Sequence, residues 1–266
     1  TELLVDQHYN YFKNLFNETD IKVSYLKNSM SAHLKNETLE SLKNGSIDII
    51  IGTHSLLNPS VSFKQLGLCI IDEQHKFGIN QRSSFIDSRD SSGKSPHLIY
   101  MSATPIPRSL ALVLYQGLDY TTIKDMPKGR KNIITERVDS DNRSNMYSKI
   151  KQRLNVGEQV FWVCPSINIS ESSELESVYS AYEDISRIFD DYNIAILHGQ
   201  LDDKTQVDII KKFRNGKIDI LVCTTVIEVG VDIPNATCIV VEDSNRFGLS
   251  QLHQLRGRVG RSMLQG

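Results

Sequence analysis

The chain has 266 residues, 39% of them hydrophobic and 23% charged, with a formal net charge of -2. That length supports one large or two medium domains with real cores. The balance of charge excludes binding to nucleic acid through a globally basic surface, so any such contact must be local.

Residues 3–16 place Leu3, Leu4, Tyr11, Phe12, Leu15 and Phe16 at roughly helical spacing. The chain runs into this stretch from its first residue, as expected of a piece cut from a longer protein. Ile21–Leu26 alternates like a strand. Residues 31–44 read as a helix stopped by Gly45. Asp48–Ile51 is a buried strand ending in Gly52-Thr53-His54, and a short helical piece follows. Leu68-Cys69-Ile70-Ile71 is an apolar run that stops at Asp72-Glu73-Gln74-His75. Such a run reads as a buried strand of a parallel sheet. Residues 76–95 are polar and turn-rich. His97–Met101 is another strand, ending in Ser102-Ala103-Thr104-Pro105, and a helix is expected over 108–116.

Near Asp125–Arg130, Pro127 and Gly129 flanked by charges look like a linker. The expected boundary puts one domain over 1–127 and the other over 128–266. In the second, Ile133–Val138 is strand-like and 143–155 helix-like up to Gly157. Gln159–Val163 is a strand and 174–190 an acidic amphipathic helix. Asn193–Leu197 is a strand ending in His198-Gly199, and 202–215 a helix ending at Gly216. Asp219–Cys223 is a strand ending in Thr224-Thr225, Cys238–Val241 one ending in Glu242-Asp243, and 249–256 a helix. Both halves alternate strand and helix, which argues for doubly wound parallel sheets.

The four cysteines are scattered through apolar runs without a C-x-x-C pair. Buried free thiols in a reducing cytoplasm are expected, not a zinc site or a disulfide framework. No apolar run approaches membrane-spanning length and no signal-peptide pattern occurs, so no membrane partner is expected.

Ligand chemistry in open α/β sheets gathers beyond the carboxyl ends of the strands. Asp72 there can hold Mg²⁺ beside a nucleotide phosphate, and Glu73 can orient or deprotonate a water. Taken alone, the pair is better explained as a solvated turn. The ends at 52–54, 72–75 and 102–104 can meet along one edge of one sheet, where small hydroxyl residues let backbone amides approach a phosphate chain. Ser102 and Thr104 alone would read as a helix cap before the Pro105-Ile106-Pro107 turn. In the second half, Thr224 to Pro234 offers hydroxyls and amides to a phosphate, or merely caps a strand-to-helix turn. Gln254-Leu255-Arg256-Gly257-Arg258-Val259-Gly260-Arg261 sets arginines among glycines, which suits bidentate contact with phosphate oxygens. A basic surface turn is the plainer alternative. Gly93-Lys94-Ser95 mimics the end of a phosphate-binding loop, but Ser88 stands where that pattern needs glycine.

Taken together, these residues resemble a superfamily 2 helicase. Asp72 to Gly78 (D-E-Q-H-K-F-G) is similar to motif II of the RecG family, bacterial branch-migration helicases. Met101 to Arg108 is similar to its motif III, Thr224 to Pro234 to motif V and Gln251 to Arg261 to motif VI. Thr1 to Leu4 with Gln7-His8 looks like the tail of motif Ia. The transcription-repair coupling translocases share several of these segments but usually carry D-E-E-Q at motif II. A non-catalytic nucleic-acid-binding module on the same fold is the remaining alternative.

The resemblance implies two tandem RecA-like parallel-sheet α/β domains with ATP and Mg²⁺ between them, the first truncated at its N-terminus. By that resemblance Asp72 coordinates Mg²⁺ and Glu73 is the catalytic base. His75, Ser102 and Thr104 couple nucleotide state to the domain interface. Arg258 and Arg261 reach the γ-phosphate, Gln254 orients their loop, and Gly230 and Asp232 belong to a nucleotide-sensing loop. Thr53, His54, His198, Gly199 and Thr225 lie nearer the DNA backbone. The expected protein is a monomer of the bacterial cytoplasm acting on forks and Holliday junctions. A Walker A loop and a wedge domain are expected before residue 1, so the 266-residue chain alone is expected to be inactive.

Overall fold

The computed structural model of the chain describes residues 2–58, 60–72, 95–102, 119, 121–123, 125, 131–165, 171–224, 233–261 and 264–266. The chain divides into two compact units, Thr1–Pro105 and Ile106–Gly266.

In the first unit, helix α1 (Glu2–Leu15) precedes strand β1 (Val23–Leu26), helix α2 (Ala32–Asn44) and strand β2 (Ile49–Gly52). Ser31 caps α2 by accepting the Leu34 amide at 3.4 Å. Gly45 ends it with φ 77°, and its amide and that of Ser46 return to Leu42 O and Ser41 O. A side chain at 45 would also strike Lys64, 2.5 Å from a Cβ built there. Strands β1 and β2 pair in parallel, Val23 with Ile49 through Leu26 with Gly52. A 3-10 turn over His54–Leu57 follows.

Strands β3 (Leu68–Ile71) and β4 (His97–Tyr100) form a second parallel pair. The described residues thus show two two-stranded ladders in this unit, not one sheet edge. Burial is also less complete than the apolar run suggests. Ile71 is buried, but Leu68 and Ile70 are 51% and 53% exposed, and Ile99 beside them 46%. A run without alternation fits burial on both faces. Here Leu68, Ile70 and Ile99 share a face left open to solvent.

The second unit is a doubly wound sheet. Helix α3 (Arg143–Asn155), strand β5 (Gln159–Val163), helix α4 (Glu171–Ile188), strand β6 (Ile194–Leu197), helix α5 (Asp203–Arg214), strand β7 (Ile220–Cys223), strand β8 (Ala236–Val241) and helix α6 (Leu249–Arg256) follow in order. The strands lie in the order β6-β7-β5-β8, all parallel. Every residue of β5 is buried, because it has neighbours on both edges and helices on both faces. Val160, Trp162 and Cys164 pack with Ile150 and Leu154 of α3, Val178 and Ile185 of α4, and Phe189. Phe161 points the other way and meets Phe213 of α5, ring centroids 5.1 Å apart. The buried Gln159 amide donates to Phe213 O and Ile218 O, both at 2.6 Å, tying β5 to the end of α5. Asp202 caps α5 by accepting the Thr205 amide at 3.0 Å.

One expected strand is absent: residues 131–139 form no ladder, although Ile134 N donates to Gly266 O at 3.0 Å. Their alternation fits a strand, but a strand also needs a row of partners. All four cysteines are free. No helix among the described residues is long and apolar enough to cross a membrane.

Candidate functional site

In the first unit the candidate residues gather at the carboxyl end of the β3–β4 ladder. Met101 N donates to Ile71 O at 2.8 Å, extending the ladder one residue past β4. Asp72 follows β3 and Ser102 lies two residues past β4, so the structure brings these two expected residues to adjacent strand ends. Both are exposed. Thr53 and His54 follow β2, on the other ladder. Thr53 Oγ1 accepts the Ser55 amide at 3.4 Å, and Ser55 Oγ donates to Leu26 O at 3.2 Å. Gly52 makes this turn possible: a Cβ there would sit 2.7 Å from Leu56 Cγ and 2.8 Å from Leu26 O. The chain folds back over its own strand end, and only glycine leaves room.

Asp72 fits Mg²⁺, which needs one or two carboxylates beside water and phosphate oxygens. No group of three or more His, Cys, Asp or Glu residues able to hold a metal occurs among the described residues. Glu73, His75 and Thr104 lie outside the described residues, as do the 108–116 helix and most of the 76–95 stretch.

In the second unit, His198 follows β6 and Thr224 follows β7, the Thr224 amide donating to Leu197 O at 3.3 Å. Both residues are buried. The Tyr179 hydroxyl on α4 stands 3.5 Å from His198 Nε2, with the rings edge to face. Tyr179 carried no signal in the sequence, where it is one aromatic on a helix face. Gly199 is exposed in the turn leading to Asp202. Thr225, Gly230 and Asp232 fall outside the described residues.

Helix α6 carries Gln254, and the arginine loop follows it. Arg258 is buried, while Arg261 is exposed and donates from Nε to Gly257 O at 3.2 Å. Gly260 turns the loop with φ 64°. Upstream, Glu242 at the end of β8 pairs with Arg143 of α3. The neighbouring Asp243 takes the left-handed region, φ 45°, where aspartate is one of the few tolerated side chains. Burial, then the Glu242 and Asp243 carboxylates, pushes the Cys164 thiol up to about 12.

Two family profiles match the chain in tandem, one described as DEAD/DEAH box helicase over residues 1–113 and one as Helicase conserved C-terminal domain over residues 142–263. They define the class: a helicase core of two RecA-like domains. ATP-dependent DNA helicase RecG of Aquifex aeolicus is 43% identical over 98% of this chain and 33% of its own length. Its namesake from Borreliella burgdorferi is 44% identical over 100% of the chain and 38% of its own length. A solved structure of RecG bound to a three-way DNA junction matches with 41% identity and a TM-score of 0.78 over 98% of the chain and 33% of its own. The helicase MrfA bound to DNA and AMPPNP, at 19% identity and a TM-score of 0.71, shares the fold over 98% of this chain and 39% of its own. The chain belongs to the RecG family. It spans between a third and two fifths of the length of the relatives it matches.

Proposed function

We propose that the chain is the motor portion of an ATP-dependent DNA helicase that remodels replication forks and Holliday junctions by branch migration, in recombination and repair. One observation carries this reading: 43–44% identity to RecG helicases runs through 98–100% of the chain, so every motif above lies within the matched stretch. The curated RecG relatives named above are ATP-dependent DNA helicases, which favours the motor over the coupling translocase and the non-catalytic module. The protein works as a monomer in the bacterial cytoplasm.

In this reading Asp72 holds Mg²⁺ on the nucleotide phosphates, where the ion neutralises developing charge. Glu73 accepts the proton of the attacking water. Arg258 and Arg261 stabilise charge on the γ-phosphate, and Gln254 orients their loop. His75, Ser102, Thr104, Gly230 and Asp232 sense the nucleotide. Thr53, His54, His198, Gly199 and Thr225 follow the DNA backbone, contacts that position without specifying sequence. In this reading the functional domain boundary lies near residues 127–128, in the gap between the two matched profiles and downstream of the split between the compact units at Pro105. No G-x-x-x-x-G-K-[ST] loop occurs in these 266 residues, so the chain by itself neither hydrolyses ATP nor unwinds DNA.

The test uses the full-length protein that carries this chain. Glu73→Gln is expected to abolish DNA-stimulated phosphate release while leaving ATP binding within a factor of about two, since removing the base acts on the transition state. Turnover at the wild-type rate would remove Glu73 from its role.

A further inference from the structure

The motor roles above leave one cluster of the second unit unused. Arg153 of α3 donates from Nη1 to Glu158 Oε2 at 2.9 Å, Thr237 Oγ1 at 3.2 Å and Gln265 O at 2.8 Å. The Thr237 hydroxyl donates to the same Glu158 oxygen. Gln265 in turn donates from its side-chain amide to Asn132 O, and Ile134 N donates to Gly266 O at 3.0 Å. Residues 132–134 and 265–266, far apart in sequence, are thereby joined to each other and anchored on α3.

The arginine loop is wedged against this junction. Gly260 is buried, and a Cβ built on it would lie 3.1 Å from Ile133 Cγ1 and 3.6 Å from Gly266 Cα. Ile133 is half-buried while its neighbour Ile134 is 65% exposed, so Ile133 supplies the contact. Its β-branched side chain has few rotamers and makes a stiff wedge.

We infer that Ile133, Arg153 and Gln265 are positioning residues that hold the loop carrying Arg258 and Arg261 in one conformation before ATP arrives. The inference rests on the motor reading for its consequence but not for its geometry. Removing the wedge leaves the arginines in place chemically and misplaced spatially. Misplacement on the ångström scale lowers a rate without lowering affinity for the bound ground state.

The experiment uses the full-length protein. Ile133→Ala and Gln265→Ala are expected to lower kcat for DNA-stimulated ATP hydrolysis by about tenfold, with KM for ATP unchanged within about twofold. In an Arg261→Ala background, Ile133→Ala should cost less than it does alone, because only Arg258 is then left to misplace and residues acting through one loop are not additive. Independently of activity, trypsin should cut after the exposed Arg261 about tenfold faster in both variants, as a loosened loop exposes its backbone. Phe189→Leu, a core change that leaves Ile133 and Gln265 intact, should accelerate that cut less than either variant. An unchanged cleavage rate, equal acceleration by Phe189→Leu, or full additivity with Arg261→Ala would each overturn the assignment. A wild-type protein without DNA-stimulated ATPase would overturn the motor reading instead, and the trypsin result would still decide for or against the wedge.

Discussion

Phe189 offers a quantitative test of the second unit. It has no exposed surface and closes the cluster beneath β5. Its ring lies 5.8 Å from Tyr147, 6.5 Å from Trp162 and 6.3 Å from Tyr192, each edge to face, and Lys151 Nζ stands 5.7 Å from its centroid. Phe→Ala at such a site costs about 3–5 kcal/mol, from lost burial and the cavity left behind. The edge-to-face pairs put the value in the middle of that range, near 4 kcal/mol, since pair terms of about 0.5–1.5 kcal/mol already contribute to it. With a urea slope of about 2 kcal/mol/M, the unfolding midpoint should fall by about 2 M. Trp162 is the sole tryptophan and lies in the same cluster, so its emission reports this unit alone. Phe189→Ala should move the emission transition by about 2 M. An emission shift below about 0.5 M would refute the packing argument.

The Asp202 carboxyl is held below the usual aspartate range, chiefly by the Thr205 hydroxyl at 2.6 Å and then by the Thr205 amide. A depressed folded-state value stabilises above the unfolded value near 4 and is lost as pH falls through the folded one. The tryptophan-detected midpoint should therefore drop on acidification below about pH 4, and less steeply in Asp202→Asn; identical slopes would exclude the cap as a source of acid sensitivity. Burial raises all four thiols, that of Cys164 to about 12 and that of Cys223 well above its ordinary value. Because the thiolate is the nucleophile, a disulfide reagent at mildly alkaline pH should leave Cys164 and Cys223 unlabelled in the native chain and label all four in concentrated guanidinium. Rapid native labelling of either one would show that their strand ends open.

Much of the second unit was legible because its strands are short apolar runs between clear helix stops. Gly157 and Gly216 both have positive φ, and both fall where the apolar pattern breaks. Ile133–Val138 was misread for a physical reason. Alternation shows that a segment suits a pleated surface, but not whether a partner edge lies beside it. The first unit hid its exposed face for the converse reason: Leu68–Ile71 is apolar throughout, so no period says which side is covered. At the site, motif spacing correctly placed Asp72 and Ser102 at neighbouring strand ends. The Arg153 cluster was invisible, because a charged residue on an amphipathic helix reads as solvated until its three acceptors are seen. Glu158 lies just before β5 and Thr237 in β8, and no local pattern joins them.

The strand order of the second unit also has a cost during synthesis. β5 emerges from the ribosome first, yet its two neighbours are β7 and β8, with Val160 paired to Ile220 on one side and Cys238 on the other. Until those late strands are translated, Val160-Phe161-Trp162-Val163 has no edge partner. A short, uncharged, aromatic-rich strand waiting in that state is a template for pairing with another nascent chain. Contacts this distant in sequence also form slowly. The parallel order that later seals Trp162 from water therefore makes the same strand a point of aggregation risk while the chain is still growing.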